Sequence, residues 1–190
     1  LREQHQIGRY LIQYKIEKNS FFILNYITMA GIFPLAYHNN NIYFLLGRET
    51  VDVEHRAKGQ WSDFGGSIEK GETLKETAIR EGFEETGGLF GNMKDIEYLI
   101  DHSLIKKFRV NHYTTFVIQV PYTKDLPKVH RETYLDVLKN KKHLITKHNG
   151  LYEKDMIKWV KLENLNKVEN IRPWYKYVLK AVYKHFNKKG

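Results

Sequence analysis

The sequence predicts an α/β fold, an α/β/α sandwich in which a mixed β-sheet lies between helices. Three observations carry this expectation. Short apolar, strand-like runs stand on both sides of one helix-patterned segment, and the chain closes on an amphipathic helix. With 190 residues, 42% of them hydrophobic, it can also bury a core of its own.

Taken in order, residues 1–27 mix basic and aromatic types and read as an N-terminal extension. Residues 28–37 and 42–49 are apolar strands joined by His38-Asn-Asn-Asn41, a hairpin turn. Residues 50–63 read as an irregular loop carrying Arg56 and Lys58 near its tip. A helix follows over 73–86, with Gly87 or Gly88 suited to a left-handed C-cap. Residues 96–105 and 111–122 resume a strand pattern, and a Lys-rich insertion over about 123–150 carries a predicted helix at 131–142. A strand is expected over 156–162 and a terminal helix over 171–186, with Pro173 in its first turn. Trp174, Tyr177, Val178, Ala181, Val182 and His185 share one face of that helix and read as core. Aromatic segments near 21–26 and 174–186 could alternatively form a homodimer surface. The chain is expected to be a single domain, 1–190, with no internal repeat.

Composition removes several function classes. The chain has no Cys, which excludes disulfide scaffolds, thiolate zinc sites and cysteine nucleophiles. No apolar run approaches a membrane span, and an intracellular, cytoplasmic protein without a membrane partner is expected. The formal net charge of +9 suggests an anionic partner such as a nucleotide or nucleic acid.

Against that basic background, Glu69, Glu72, Glu76, Glu81, Glu84 and Glu85 crowd into residues 64–88. On a helix, Glu81, Glu84 and Glu85 fall at i, i+3 and i+4 and share a face. Like charges so spaced repel by a few tenths of a kcal/mol per pair. Arg80 stands one turn before Glu84 and can offset part of this; a divalent cation would offset more. Oxygen-only ligands favour Mg²⁺ or Mn²⁺ over zinc. Such an ion would also turn a phosphate-repelling surface into an attractive one.

The spacing from Gly66 through Glu72, Arg80-Glu81, Glu84-Glu85 and Gly87 resembles the signature of the Nudix hydrolases, with every fixed position matched. A match in one window by chance is roughly a one-in-a-hundred-million event at average residue usage, so coincidence is rejected. Gly82 and Gly88 depart from the pattern, standing where the family has bulky aliphatics. The likeness extends over roughly 25–185. It implies that Glu84 and Glu85 are metal-binding carboxylates and that Glu81 is a ligand or base. It further implies that the Gly66 carbonyl joins the metal shell, that Arg80 orients the carboxylates and that Glu72 steadies the loop. A further acidic residue is expected just before the last core strand: Glu153, with Asp155 second.

The resemblance implies a pyrophosphohydrolase, dependent on Mg²⁺ or Mn²⁺, that cleaves a diphosphate bond in a nucleoside diphosphate linked to another group. The recognised group stays open. One class is a small nucleotide derivative. Another is capped RNA, making the protein a decapping enzyme, for which Lys106, Lys107 and Arg109, or Lys139, Lys141, Lys142 and Lys147, would track the backbone. A third is a diphosphoinositol polyphosphate. A catalytically idle domain that binds nucleotide or RNA is the remaining alternative. Arg48, Arg56 and Lys58 are further candidate substrate contacts, whereas His112 and His130 read as surface or strand histidines.

Overall fold

The computed structural model describes residues 28–52, 57–144 and 151–188. The N-terminal extension, with its aromatic segment at 21–26, lies outside the described residues, as do Arg56 and Lys147. Strand β1 (Met29–His38) is the organising element. It pairs in parallel with β6 (Tyr113–Gln119) and antiparallel with β2 (Asn41–Glu49) through its last residues. Its first residues, Met29 to Ile32, pair with β4 (Phe64–Ser67). On its far side, β6 pairs with the edge strand β5 (Leu104–Val110). Strand β2 also pairs with the two-residue β3 (Trp61–Ser62) and along its length with β7 (Lys154–Lys161). The β1–β2 turn is the expected hairpin. Asn39 and Asn40 both take left-handed φ values, 48° and 57°, which Asn tolerates better than most residues.

Strands β1 and β6 are buried almost throughout, so they read as continuous apolar runs rather than alternating ones. On one face, Phe33, Leu35, Phe44, Leu46 and Val117 pack against the terminal helix, α4 (Tyr175–Asn187). Tyr175, Val178, Leu179, Val182 and Phe186 are its buried residues. The expected stripe is thus rotated. Tyr177 is 62% exposed, because the stripe at Tyr175, Val178, Leu179, Val182 and Phe186 is the face that turns inward. This segment covers the core.

The opposite face of the sheet carries Ala30, Ile32, Leu45, Phe116 and Ile118. Helices α1 (Leu74–Thr86) and α2 (Met93–His102) cover it with Ala78, Ile79, Ile96 and Ile100. A third helix, α3 (Leu126–Asn140), lies along β7 and occupies most of the Lys-rich insertion.

Two local readings are corrected. Residues 96–102 are helical, not strand. Asn92 caps α2, accepting from the Lys94 and Asp95 amides, while Asp95 returns a bond to the Asn92 N–H. The segment 96–100, Ile-Glu-Tyr-Leu-Ile, is too short to separate the two periods, and the cap decides. The strand expected over 96–105 therefore begins at Leu104 and takes in Lys106, Lys107 and Arg109. His130, read as a surface or strand residue, is buried on α3, with neither ring nitrogen hydrogen-bonded.

The glycine within α1 has a packing reason. Gly82 is buried, and a Cβ there would lie 2.7 Å from Ile32 Cδ1 on β1. The helix sits low on the sheet, with Ile32 filling the space an aliphatic at 82 would take. Gly82→Ala should gain up to about 1 kcal/mol of helix propensity but lose about 1–3 kcal/mol to overpacking. In urea melts the single variant is therefore expected below the parent, and adding Ile32→Val should recover the loss. A Gly82→Ala variant more stable than the parent would contradict this packing account.

Candidate metal centre

Helix α1 carries the acidic face, and both its ends are fixed locally. Thr73 and Glu76 form a reciprocal capping box, and Gly87 closes the helix in the left-handed region at φ 61°. Just before it, β4 places Gly65 and Gly66 beside the helix's second half. The Gly65 N–H donates to Glu85 Oε2 at 2.6 Å. A Cβ on Gly66 would meet Glu81 Oε1 at 2.4 Å, so only glycine lets that carboxylate lie against the strand.

Arg80 organises the exposed side of the set. Its Nε and Nη2 grip Glu72 at 2.7 and 3.0 Å, and Nη2 also reaches the Ser67 carbonyl. Its Nη1 reaches Glu81 at 2.8 Å and Glu84 at 3.2 Å. Glu72 in turn accepts from the Glu69 amide and the Thr77 hydroxyl, which ties the loop to the helix. The Arg80 fork holds the Glu72 carboxyl at about 2, well below the usual range.

Glu153 arrives from the loop before β7. Tyr152 lays its ring against Gly87, and its amide approaches the Glu84 carbonyl, so the loop docks on the end of α1. The Glu153 carbonyl accepts from the Thr50 amide. Glu49, at the end of β2, enters the same cluster from below. Carboxylate oxygens of Glu49, Glu85 and Glu153 all lie within 4.8 Å of one another. Nothing in the sequence singled out Glu49. It ends a strand, and only the pairing of β2 with β7 brings it beside Glu153.

The electrostatics follow from crowding. Burial pushes Glu81 and Glu84 upward against the pull of Arg80. It pushes Glu85 well above the usual range, opposed chiefly by Lys154. Burial and then the Glu49 charge lift Glu153 from 4.5 to about 7. Carboxylates so placed call for cations. Their hard, oxygen-only donor set fits Mg²⁺ or Mn²⁺, and the bare Gly66 leaves room for the Glu81 carboxylate.

Other candidate residues fall differently. Arg48 spends its fork on Asp155, at 2.8 and 2.9 Å, and Asp155 is fully buried. The two expected contacts, one for substrate and one for metal, are thus partners of each other. Lys58 is exposed in the turn whose Gly59 N–H donates to the Glu49 carbonyl. Lys139, Lys141 and Lys142 are exposed at the far end of α3. That helix passes the site: Tyr134 pairs its hydroxyl with Thr50 at 2.6 Å, immediately after Glu49. Lys106, Lys107 and Arg109 sit on the edge strand β5, with β6 and β1 between them and β2.

The NUDIX domain family model matches residues 29–182 of this chain. Among solved structures, the fold is similar to a Nudix hydrolase from M. smegmatis, RenU, with a TM-score of 0.52 and 14% identity over 85% of this chain and 87% of that one. It is also similar to a C. elegans Ap4A hydrolase in a binary complex, with a TM-score of 0.50 and 15% identity, covering 85% and 98% of the two chains. An uncharacterized protein of Acanthamoeba polyphaga mimivirus is 40% identical over 62 residues, 32% of this chain. The match spans only 20% of that relative's length. Among the described residues, no helix is long and apolar enough to cross a membrane.

A carboxyl raised in the folded state contributes most stability below its unfolded value and loses it as pH rises through the folded one. For Glu153 that window runs from 4.5 to about 7. In chelator, Glu153→Gln should match the parent near the low end of this window. Above it, the variant should be more stable by on the order of 2 kcal/mol in urea melts, partial exposure allowed for. A difference that does not change with pH would refute the burial of this charge.

Proposed function

The chain belongs to the Nudix family, and from that premise we propose that it hydrolyses a diphosphate bond in a nucleoside diphosphate linked to another group. The observation that carries this reading is the convergence of helix, strand-end and loop carboxylates on one cluster. Glu81, Glu84, Glu85 and Glu153, with the Gly66 carbonyl, would hold Mg²⁺ or Mn²⁺. When bound, such an ion lowers the pKa of a water and neutralises charge building on the phosphoryl oxygens.

The protein's own groups do the rest. Arg80 fixes Glu81 and Glu84 in register, and Glu72 fixes Arg80. Gly87 ends the helix where the Tyr152 loop must dock. Lys58, exposed in the turn after β2, is a candidate contact for the anion. The water oxygen forms a bond to phosphorus as the bridging P–O bond breaks, and the departing phosphate keeps the electron pair. The water's proton passes to a carboxylate of the set.

One observation favours a second reading, capped RNA. Helix α3 continues beyond Tyr134, so Lys139, Lys141 and Lys142 extend roughly 8–12 Å past the site's own contact with Thr50. An RNA body leaving the cluster toward the end of this helix would meet them.

Glu84→Gln should leave the melting curve in chelator near the parent's and lower metal-dependent turnover at least about 100-fold. Near-parental turnover would remove Glu84 from the metal shell. The substrate class is read from a hydrolysis panel of capped RNA, free cap, ADP-ribose, a dinucleoside polyphosphate, nucleoside triphosphates and a diphosphoinositol. If RNA is the substrate, Lys139→Glu/Lys141→Glu/Lys142→Glu should weaken its cleavage about tenfold at low salt, with a shallower salt dependence than the parent. Unchanged cleavage of every substrate would make these lysines plain surface charge.

A further inference from the structure

Lys154, the first residue of β7, is fully buried inside the carboxylate cluster. Its ammonium pairs with Glu49 Oε1, with Glu85 Oε1 at 3.0 Å, and with Ser62 Oγ at 3.1 Å. Glu49 and Ser62 accept hydrogen bonds from it, and Glu85 pairs with it as an ion. Glu49 receives a second cation, Arg172, at 3.0 Å. The Glu85 oxygen that Lys154 leaves free is bonded to the Gly65 amide.

Two features of the backbone make this placement possible. The β2–β7 register slips at this point: Arg48 pairs with Met156, but Glu49 pairs with Lys154, leaving Asp155 as an extra residue. Such a bulge re-aims the side chains beside it. The Lys154 stem then crosses β2 at Gly47, where a Cβ would lie 3.0 Å from Lys154 Cγ. A buried charge is tolerated only where its partners are fixed, and here the strand register, the glycine and the serine all fix them.

We propose that Lys154 is a resident cation. It fills the innermost cation position of the cluster, between Glu49 and Glu85, and confines divalent metal to the outer side, where Glu81, Glu84 and Glu153 stand with the remaining lone pairs of Glu85. The reading rests on the metal-dependent hydrolase proposed above. Without Lys154, Glu49, Glu85 and Glu153 would face one another with less positive charge among them, Arg172 on Glu49 remaining, and a further divalent ion could enter. With it, part of the positive charge that the site needs is built into the chain, and Lys154 acts as a positioning residue for Glu85.

The test is Mn²⁺ binding, counted by EPR and by equilibrium dialysis on the full chain without substrate. Lys154→Met keeps the stem and removes the charge, and is expected to bind one more Mn²⁺ per chain than the parent. Its melting temperature should also rise more on Mn²⁺ addition than the parent's does. Lys154→Arg should keep the parental count. An unchanged count in Lys154→Met would overturn the proposal, since the ammonium would then be yielding its place to metal. Glu49→Gln gives an independent answer if Lys154→Met fails to fold. A Glu49 reserved for Lys154 predicts less than about threefold loss of Mn²⁺ affinity, and a loss of about tenfold or more would make Glu49 a metal ligand and sink the proposal. Failure of the hydrolase reading is distinguishable: the parent would bind Mn²⁺ with the expected count and cleave nothing on the panel.

Discussion

Buried carboxylates must be matched by cations, and most of this site's architecture is a response to that requirement. Helix α1 and the ends of β2 and β7 bring Glu49, Glu81, Glu84, Glu85 and Glu153 into one region. Transfer of so much negative charge out of water would cost several kcal/mol per ion if nothing balanced it. Among the described residues, Arg80, Lys154 and Arg172 supply cations of different shape at different depths. Arg80, at the surface, uses a planar fork to hold Glu72 with two bonds and still reach Glu81 and Glu84. Lys154, at the bottom, is a compact charge on a flexible stem that is fully buried between Glu49 and Glu85.

Close approach of backbone is the second condition, and it sets the depth of the carboxylates. At Gly66 a bare backbone admits the Glu81 carboxylate. At Gly82 it lets α1 settle on Ile32, which brings the acidic face down toward the strand ends. Behind them, Asp63 accepts from Tyr113 and Thr115 at 2.6 and 2.7 Å in the core, and burial still raises its carboxyl to about 6. That buried network joins the loop before β4 to β6, so the strand carrying Gly65 and Gly66 is braced from within.

The insertion bears on the site rather than decorating it. Helix α3 anchors Tyr134 on Thr50 and Asp52, and sends Arg131 to the Asp155 carbonyl. These contacts pin the bulged start of β7, from which Lys154 departs. The buried His130 lies in the same interface; burial lowers its ring to about 4, so it packs as a neutral group at ordinary pH.

By itself the sequence determined the sandwich class, the acidic helix and its C-cap, the Nudix resemblance and the loop position of Glu153. These are local or fixed-spacing signals: a 3.6-residue period, a glycine after the last turn, carboxylates counted along one stretch. It misplaced α2, because a stretch as short as Ile96 to Ile100 does not reveal its period. It said nothing of Glu49, Lys154 or the Arg48–Asp155 pair. Each of these depends on which strands lie side by side and in what register, and a single bulge between Arg48 and Glu49 decides where Lys154 points. Register is settled by packing across the whole sheet, not by the residues that happen to face each other once it is set. That is why the sequence could reveal the helix that carries the carboxylates, while only the tertiary structure could show which cations stand among them.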